Sequence, residues 1–248
     1  FIMIYCFTST GNSLGAAKRL AAALGEDIER ITPLSEGHFD GGILGFVFPA
    51  YFSGLPLSVR EFVSRLDIHH HPDYVFAVST NGGFAPGVNG RLAELLKEKH
   101  LSVDYTASVR HVDNYAALYN CADSPKIRAK AADRIAEIAL DIKVRKIKLP
   151  PKYPLLSKII YKFYPAKNGS VSPGFKVSDS CNGCGICRRV CPRGNIETDG
   201  GKPRFGADCE ICLGCLNLCP KGAIEYKLSK RMTKYKNPEI KLSELYVR

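Results

Sequence analysis

Two cysteine runs constrain this chain more than any other feature. "CNGCGICRRVCPRGNI" spans Cys181 to Ile196 and "CEICLGCLNLCPKGAI" spans Cys209 to Ile224. Both read C-x2-C-x2-C-x3-C-P, and they start 28 residues apart. Four thiols at that spacing, twice, admit three chemistries. Disulfide frameworks suit small secreted domains. The opening "FIMIYCFTSTGNS" lacks the basic start and long apolar core of a secretory signal. Structural zinc prefers two separated ligand pairs, and a compact run of four fits it poorly. Iron–sulfur ligation uses this spacing, with the fourth cysteine of each run serving the other cluster. These runs take 8 of the 10 cysteines. Cys6 and Cys121 remain and read as buried free thiols.

On these residues the segment of about 177–226 resembles the bacterial two-[4Fe-4S] ferredoxins, a small α+β fold. The resemblance implies that Cys181, Cys184, Cys187 and Cys219 hold one cluster. Cys209, Cys212, Cys215 and Cys191 hold the other. Exposed clusters and free thiols point to a reducing cytoplasm.

Charge is unevenly placed. Residues 1–145 hold 15 Lys+Arg against 16 Asp+Glu. Residues 146–176 hold 7 basic residues and no acid, 177–226 balance 6 against 6, and 227–248 hold 7 against 2. The positive charge therefore flanks the cysteine-rich core. It suits an acidic docking face on a redox partner protein, or weak contact with an anionic membrane surface. Nucleic acid is an unlikely partner, because no nucleic-acid motif accompanies the charge. No apolar run reaches the ~18 residues of a membrane span.

Upstream, strand and helix patterns alternate. Continuous apolar runs at Ile2–Phe7, Gly42–Phe48 and Tyr74–Ser79 read as buried parallel strands. Val103–Val109 is a weaker run, and Asp27–Thr32 is a short edge candidate. Helical patterns occupy Leu14–Leu24, the stretches ending at Leu66 and Lys99, and Ser124–Ile147. Such alternation predicts a doubly wound sheet, whose ligands bind outside the strand C-termini at the switch point. The loop after the first strand, "TSTGNS", supplies Thr8, Ser9, Thr10, Gly11, Asn12 and Ser13 at a helix start. It has neither G-K-[ST] nor G-x-G-x-x-G, so it is neither an ATP-type loop nor a dinucleotide fingerprint. Hydroxyls and backbone N–H groups there can wrap a phosphate without a lysine. The same residues would also serve as an ordinary capped turn.

The T-x-T-G-N-[TS] form of that loop resembles the flavodoxins. The resemblance covers about residues 1–146. It implies a five-stranded parallel sheet in the order 2-1-3-4-5, with FMN as the cofactor. By position, "FPAYFSGLP" (Phe48–Pro56) offers Pro49, Ala50, Tyr51 and Phe52, with Tyr51 the candidate to stack on the flavin. "STNGGFAPG" offers Asn81, Gly82 and Gly83 along the flavin's polar edge, where the glycine pair would permit a peptide flip. After the fifth strand, Asn114 and Tyr115 approach the flavin. The chain has no Trp, and its first 145 residues are near neutral, both departures from the flavodoxin pattern.

The expected organisation is therefore a flavodoxin-like FMN domain (1–147), a Pro-rich basic linker (148–176), a ferredoxin domain (177–228) and a basic, partly irregular tail (229–248). Within the linker, Leu155, Leu156, Ile159, Ile160, Phe163 and Tyr164 recur at helical spacing, which predicts a short helix packing on one of the domains. The alternative is a helix at a membrane interface. "HHH" at 69–71 reads as a solvated loop. Chains of this composition resemble the flavodoxin–ferredoxin fusion proteins of anaerobic microbes. That implies an electron-transfer protein relaying single electrons between two [4Fe-4S] clusters and FMN, without catalytic residues of its own. An FMN-dependent reductase of a quinone or nitro compound is the alternative, and a docking or redox-sensing module is the third class.

Overall fold

In the computed structural model, which describes residues 1–83, 85–164, 166 and 174–247, the apolar runs pair as the alternation predicts. Strands β1 (Ile2–Cys6), β2 (Ile28–Arg30), β4 (Ile43–Pro49), β6 (Tyr74–Asn81) and β7 (Tyr105–Arg110) form one sheet in the order β2-β1-β4-β6-β7, all parallel. Counted along the chain, the five strands lie 2-1-3-4-5. Central strands covered on both faces need apolar side chains in both directions, which is why β4 and β6 are nearly continuous apolar runs. Leu44, Phe46 and Phe48 pack with Val59 and Phe62 of α2 (Leu57–Arg65) and Leu92 of α3 (Val88–Lys97). Val47 and Val78 face the other way, onto Leu14, Ala17 and Leu20 of α1 (Asn12–Leu24) and Ile135 and Ile138 of α4 (Pro125–Lys143). The Ser124 side chain accepts from the Ile127 amide and caps α4.

β3 (His38–Asp40) and β5 (Asp67–His70) add a two-stranded parallel ribbon. The ribbon corrects one expectation. His69 and His70 are strand residues, still exposed, and the His69 ring lies 4.3 Å from that of His38.

The linker helix forms as α5 (Leu155–Lys162) and packs through one end of the apolar stripe only, at Tyr164 and Ile160. Ser157, Tyr161 and Tyr164 are buried, whereas Leu155, Leu156, Ile159 and Phe163 are exposed. Polar atoms decide the orientation. Ser157 Oγ donates to the Pro86 carbonyl (2.7 Å) and Tyr161 OH to the Leu55 carbonyl (2.7 Å). The Tyr161 ring also lies across Gly54, where any Cβ would clash.

The cysteine-rich segment is α+β. β8 (Phe175–Val177) pairs antiparallel with β11 (Ile224–Tyr226), and β9 (Ile196–Asp199) pairs with β10 (Lys202–Phe205). Two one-turn helices, α6 (Ile186–Arg189) and α7 (Gly214–Asn217), each carry the third cysteine of their run. The last residues are more ordered than their polar, basic composition suggests. Tyr235, Asn237, Ile240 and Leu245 are buried. Ile240 and Leu245 share the core of α1 and α4. Among the described residues, no helix is long and apolar enough to cross a membrane.

Candidate functional site

At the C-terminal edge of the sheet the strand-following loops enclose a cavity of ≈ 560 Å³, within the range of small-molecule and cofactor sites. It is lined by Thr8, Ser9, Thr10, Asn12 and Ser13 after β1, by Pro49, Ala50, Tyr51 and Phe52 after β4, by Asn81, Gly82 and Gly83 after β6, and by Asn114 and Tyr115 after β7. The structure thus brings together every expected flavin-site residue except Gly11.

Gly11 lies just behind that wall and shapes it. Its φ of +102° belongs to the region that L side chains rarely adopt. A Cβ there would sit 3.0 Å from Asn237 and 3.2 Å from Ile240 of the tail. Gly11 N–H donates to Thr8 Oγ1 (3.2 Å), closing the loop. No side chain caps α1. Its first N–H groups and the positive end of its dipole are thus offered to an anion at the cavity floor. Asn114 Nδ2 donates to Ser9 Oγ (3.2 Å) and Thr10 Oγ1 (2.9 Å), and Tyr51 OH donates to Ser9 Oγ (3.1 Å). Ser13 Oγ and Thr80 Oγ1 are 2.8 Å apart. The Asn12 side chain is engaged elsewhere. Its Nδ2 donates to the Val112 carbonyl (2.9 Å) and its Oδ1 accepts from Tyr235 OH (2.9 Å). Asn12 therefore ties the loop to the segment after β7 and to the tail.

Tyr51 is held edge-on to Phe7 (6.3 Å between ring centroids). It is 9% exposed, and burial pushes its phenol up, so it remains a neutral donor. Phe52, at φ +49°, is more open and lies 5.6 Å from Tyr115 in a T-shaped pair and 5.2 Å from Tyr164 in a stack. A Cβ on Gly82 would meet Asp113 at 2.5 Å, whereas Gly83 faces open space. The backbone freedom of that glycine pair therefore resides at Gly83.

The cysteines fall into two separate pockets. One is lined by Cys181, Cys184, Cys187 and Cys219, the other by Cys191, Cys209, Cys212 and Cys215. The fourth cysteine of each run thus crosses to the other set. A tetrahedral zinc with Zn–S bonds of ~2.3 Å needs sulfurs about 3.8 Å apart. Among the described residues no three cysteine sulfurs lie within 4.8 Å of one another. The wider spacing and all-thiol donor set fit an iron–sulfur cluster. Burial raises the Cys187 and Cys209 thiols to about 11, so cluster assembly must displace protons from them. Cys6 and Cys121 are buried, with thiols raised to about 12 by that burial, as inert core thiols should be.

The two centres adjoin. Cys212 lines both its own pocket and the large cavity, with Ile211 beside it. α7 rests on the loop after β1, where a Cβ on Gly214 would lie 3.6 Å from the Ser9 carbonyl. Asn217 Nδ2 donates to the Asn114 carbonyl (2.9 Å), and its Oδ1 accepts from the Tyr235 amide (3.0 Å). Deeper in the junction, the Ser58 amide donates to Glu210 Oε2 (3.0 Å), and Tyr164 OH donates to the Glu210 carbonyl. Arg193 joins Glu61 of α2 to Asp208. Sequence reasoning did not find Ile211, Lys227, Tyr119 or Ile160 in the cavity wall, nor the tail behind it. Ile211, Lys227 and Ile160 arrive from segments distant in the chain, and Tyr119 comes from the same loop as Asn114 and Tyr115.

A family model of the 4Fe-4S binding domain matches residues 176–197. Among curated proteins no match was found. The chain is similar to the solved FMN-dependent NADH-azoreductase of Bacillus anthracis, in complex with FMN, at 11% identity and a TM-score of 0.39, covering 57% of this chain and 97% of that one. It is also similar to the Trp repressor binding protein of Bacillus subtilis, at 10% identity and a TM-score of 0.39, covering 57% of this chain and 96% of that one. The sheet order and the matched domain define the class: a flavodoxin-like domain joined to a ferredoxin-type segment, built for iron–sulfur electron transfer.

Proposed function

We propose that this protein is an electron carrier in which two [4Fe-4S] clusters exchange single electrons with an FMN and thereby couple redox partner proteins. The observation that carries the reading is Cys212, a cysteine of the inner pocket that also lines the large cavity. FMN would supply the exchange between one- and two-electron chemistry. The chain's own residues would do the rest. Thr8–Ser13 and the uncapped start of α1 receive the phosphate, and Tyr51 and Asn114 fix the loop that holds it. Tyr51 and Phe52 border the ring. Cys184 is exposed while Cys212 sits at the inner junction. A partner docking at the outer cluster would therefore reach the flavin through the inner one. Exposed lysines and arginines around the cysteine-rich core suit an acidic partner.

The apolar contribution of Leu118, Tyr119 and Ile160 to the cavity wall favours a second reading, an FMN-dependent reductase of a quinone or nitro compound. Anaerobic purification followed by FMN, iron and sulfide assays tests the first reading. It requires ~1 FMN with ~8 iron and ~8 sulfide per chain. Iron without flavin would leave the cavity assignment wrong, and zinc in place of iron would end the redox reading. Saturable turnover of a small acceptor by the reduced protein would favour the reductase.

A further inference from the structure

Among the described residues, the outward face of α5 is left exposed. At 100° per residue, Leu155, Ile159, Phe163 and Leu156 occupy about 100° of the helix surface. Leu155 is 73% exposed and Phe163 70%. The opposite face is anchored by the hydrogen bonds of Ser157 and Tyr161. The stripe is thus presented outward by a fixed support.

The charge beside it indicates what would cover it. Residues 150–164 contain Lys152, Lys158 and Lys162, with no arginine and no acidic residue. All three lysines are exposed. Lys158 and Lys162 lie along one border of the stripe, and Lys158 Nζ is 3.9 Å from Glu94 of α3. Protein–protein interfaces are enriched in Arg and depleted in Lys. A lipid interface accepts Lys, whose stem lies along apolar surface while the ammonium reaches the headgroups.

We propose that this face docks on an anionic lipid bilayer, with Leu155, Leu156, Ile159 and Phe163 entering the headgroup–acyl boundary and the lysines meeting lipid phosphates. The contact is peripheral and reversible. It needs both the apolar stripe and the charge, since neither alone gives stable binding.

The test is co-sedimentation of the full-length, anaerobically purified protein with vesicles of phosphatidylcholine, with and without phosphatidylglycerol. Binding is expected only with phosphatidylglycerol and is expected to fall as salt screens the lysines. Lys158→Gln with Lys162→Gln should weaken it about fivefold per lysine. Leu155→Glu with Phe163→Glu should abolish it, and because both side chains are exposed, the melting temperature and cofactor content should not change. Failure to bind anionic vesicles, or equal binding by the Glu variant, overturns the proposal. A concentration-dependent dimer abolished by the same Glu variant, without vesicle binding, would assign the face to a second copy of the chain instead.

Discussion

The backbone amide of Asn237 donates to the carbonyl of Thr10 at 2.8 Å, so nearly the last part of the chain fastens nearly the first loop. Around this bond, Tyr235 OH reaches Asn12, and salt bridges run from Lys18 to Glu244 and from Arg19 to Glu239 (2.8 Å). The tail is thus the outer support of the candidate phosphate loop. Truncation after Met232 should remove that support and release flavin, and it should also loosen α6 and α7, which the tail holds through Val247 to Arg189 and Tyr235 to Asn217. FMN and iron content of the truncated protein check this, with both expected to fall. Tyr235→Phe, which deletes one hydroxyl, should cost about 1 kcal/mol in thermal or denaturant stability.

Gly11 makes a sharper test of the same loop. A side chain there meets both an unfavourable φ and the Asn237 and Ile240 side chains. Gly11→Ala should cost roughly 1–3 kcal/mol and shift the loop away from its tail. Flavin affinity measured by fluorescence quenching should fall along with the melting temperature. A variant that binds flavin like the parent would show that the loop does not hold the phosphate.

The crossed cysteine sets predict which substitutions act alike. Cys191→Ala and Cys212→Ala should disturb the same cluster although they come from different runs, and Cys219→Ala should pair with Cys184→Ala. Electron paramagnetic resonance of the reduced protein distinguishes the two signals. Each pair should lose the same one. Rapid-mixing kinetics should then show flavin reduction slowed most by loss of the inner set, because Cys212 borders the large cavity.

Arg193 should determine how firmly the cysteine-rich segment is docked. Its side chain is 12% exposed and bridges Glu61 of α2 and Asp208. Arg193→Ala leaves Glu61 without this partner and opens the junction beside buried Glu210. A loss of roughly 1 kcal/mol is expected, because Glu61 and Asp208 are 44% and 61% exposed and stay solvated. Limited proteolysis near the junction should accelerate. Retention of parental stability would mean that the backbone contacts of α7 suffice.

Much of this was legible in the sequence because the signals are local. Continuous apolar runs gave β1, β4 and β6, since buried parallel strands require them. The "TSTGNS" loop and both cysteine spacings carried their chemistry within a few residues. The α5 stripe gave the helix but not its packing face, for a physical reason. Apolar periodicity states that a helix has two faces but not which one meets the protein. Here the hydrogen bonds of Ser157 and Tyr161 outweigh four apolar side chains in setting the orientation. The tail was illegible because its contacts span more than 200 residues and rest on Asn237 and Tyr235, which polar composition cannot distinguish from a solvated end.

His111 supplies the pH prediction. It follows β7, is 5% exposed, and neither ring nitrogen has a hydrogen-bond partner among the described residues. Burial lowers its pKa to about 4, against the pull of Glu239 and with the push of Arg19. The unfolded chain binds this proton at about 6.5 and the folded chain only near 4, so protons favour unfolding between those values. The stabilising contribution is therefore complete above pH ~6.5 and is lost as pH falls toward 4, by roughly 3 kcal/mol in all. Iron–sulfur clusters are themselves acid-sensitive, so the informative quantity is the difference between parent and His111→Gln melting curves in the same buffers. Their gap should narrow from pH 7 to pH 4.5. A constant gap would mean that His111 takes up its proton without cost in the folded protein.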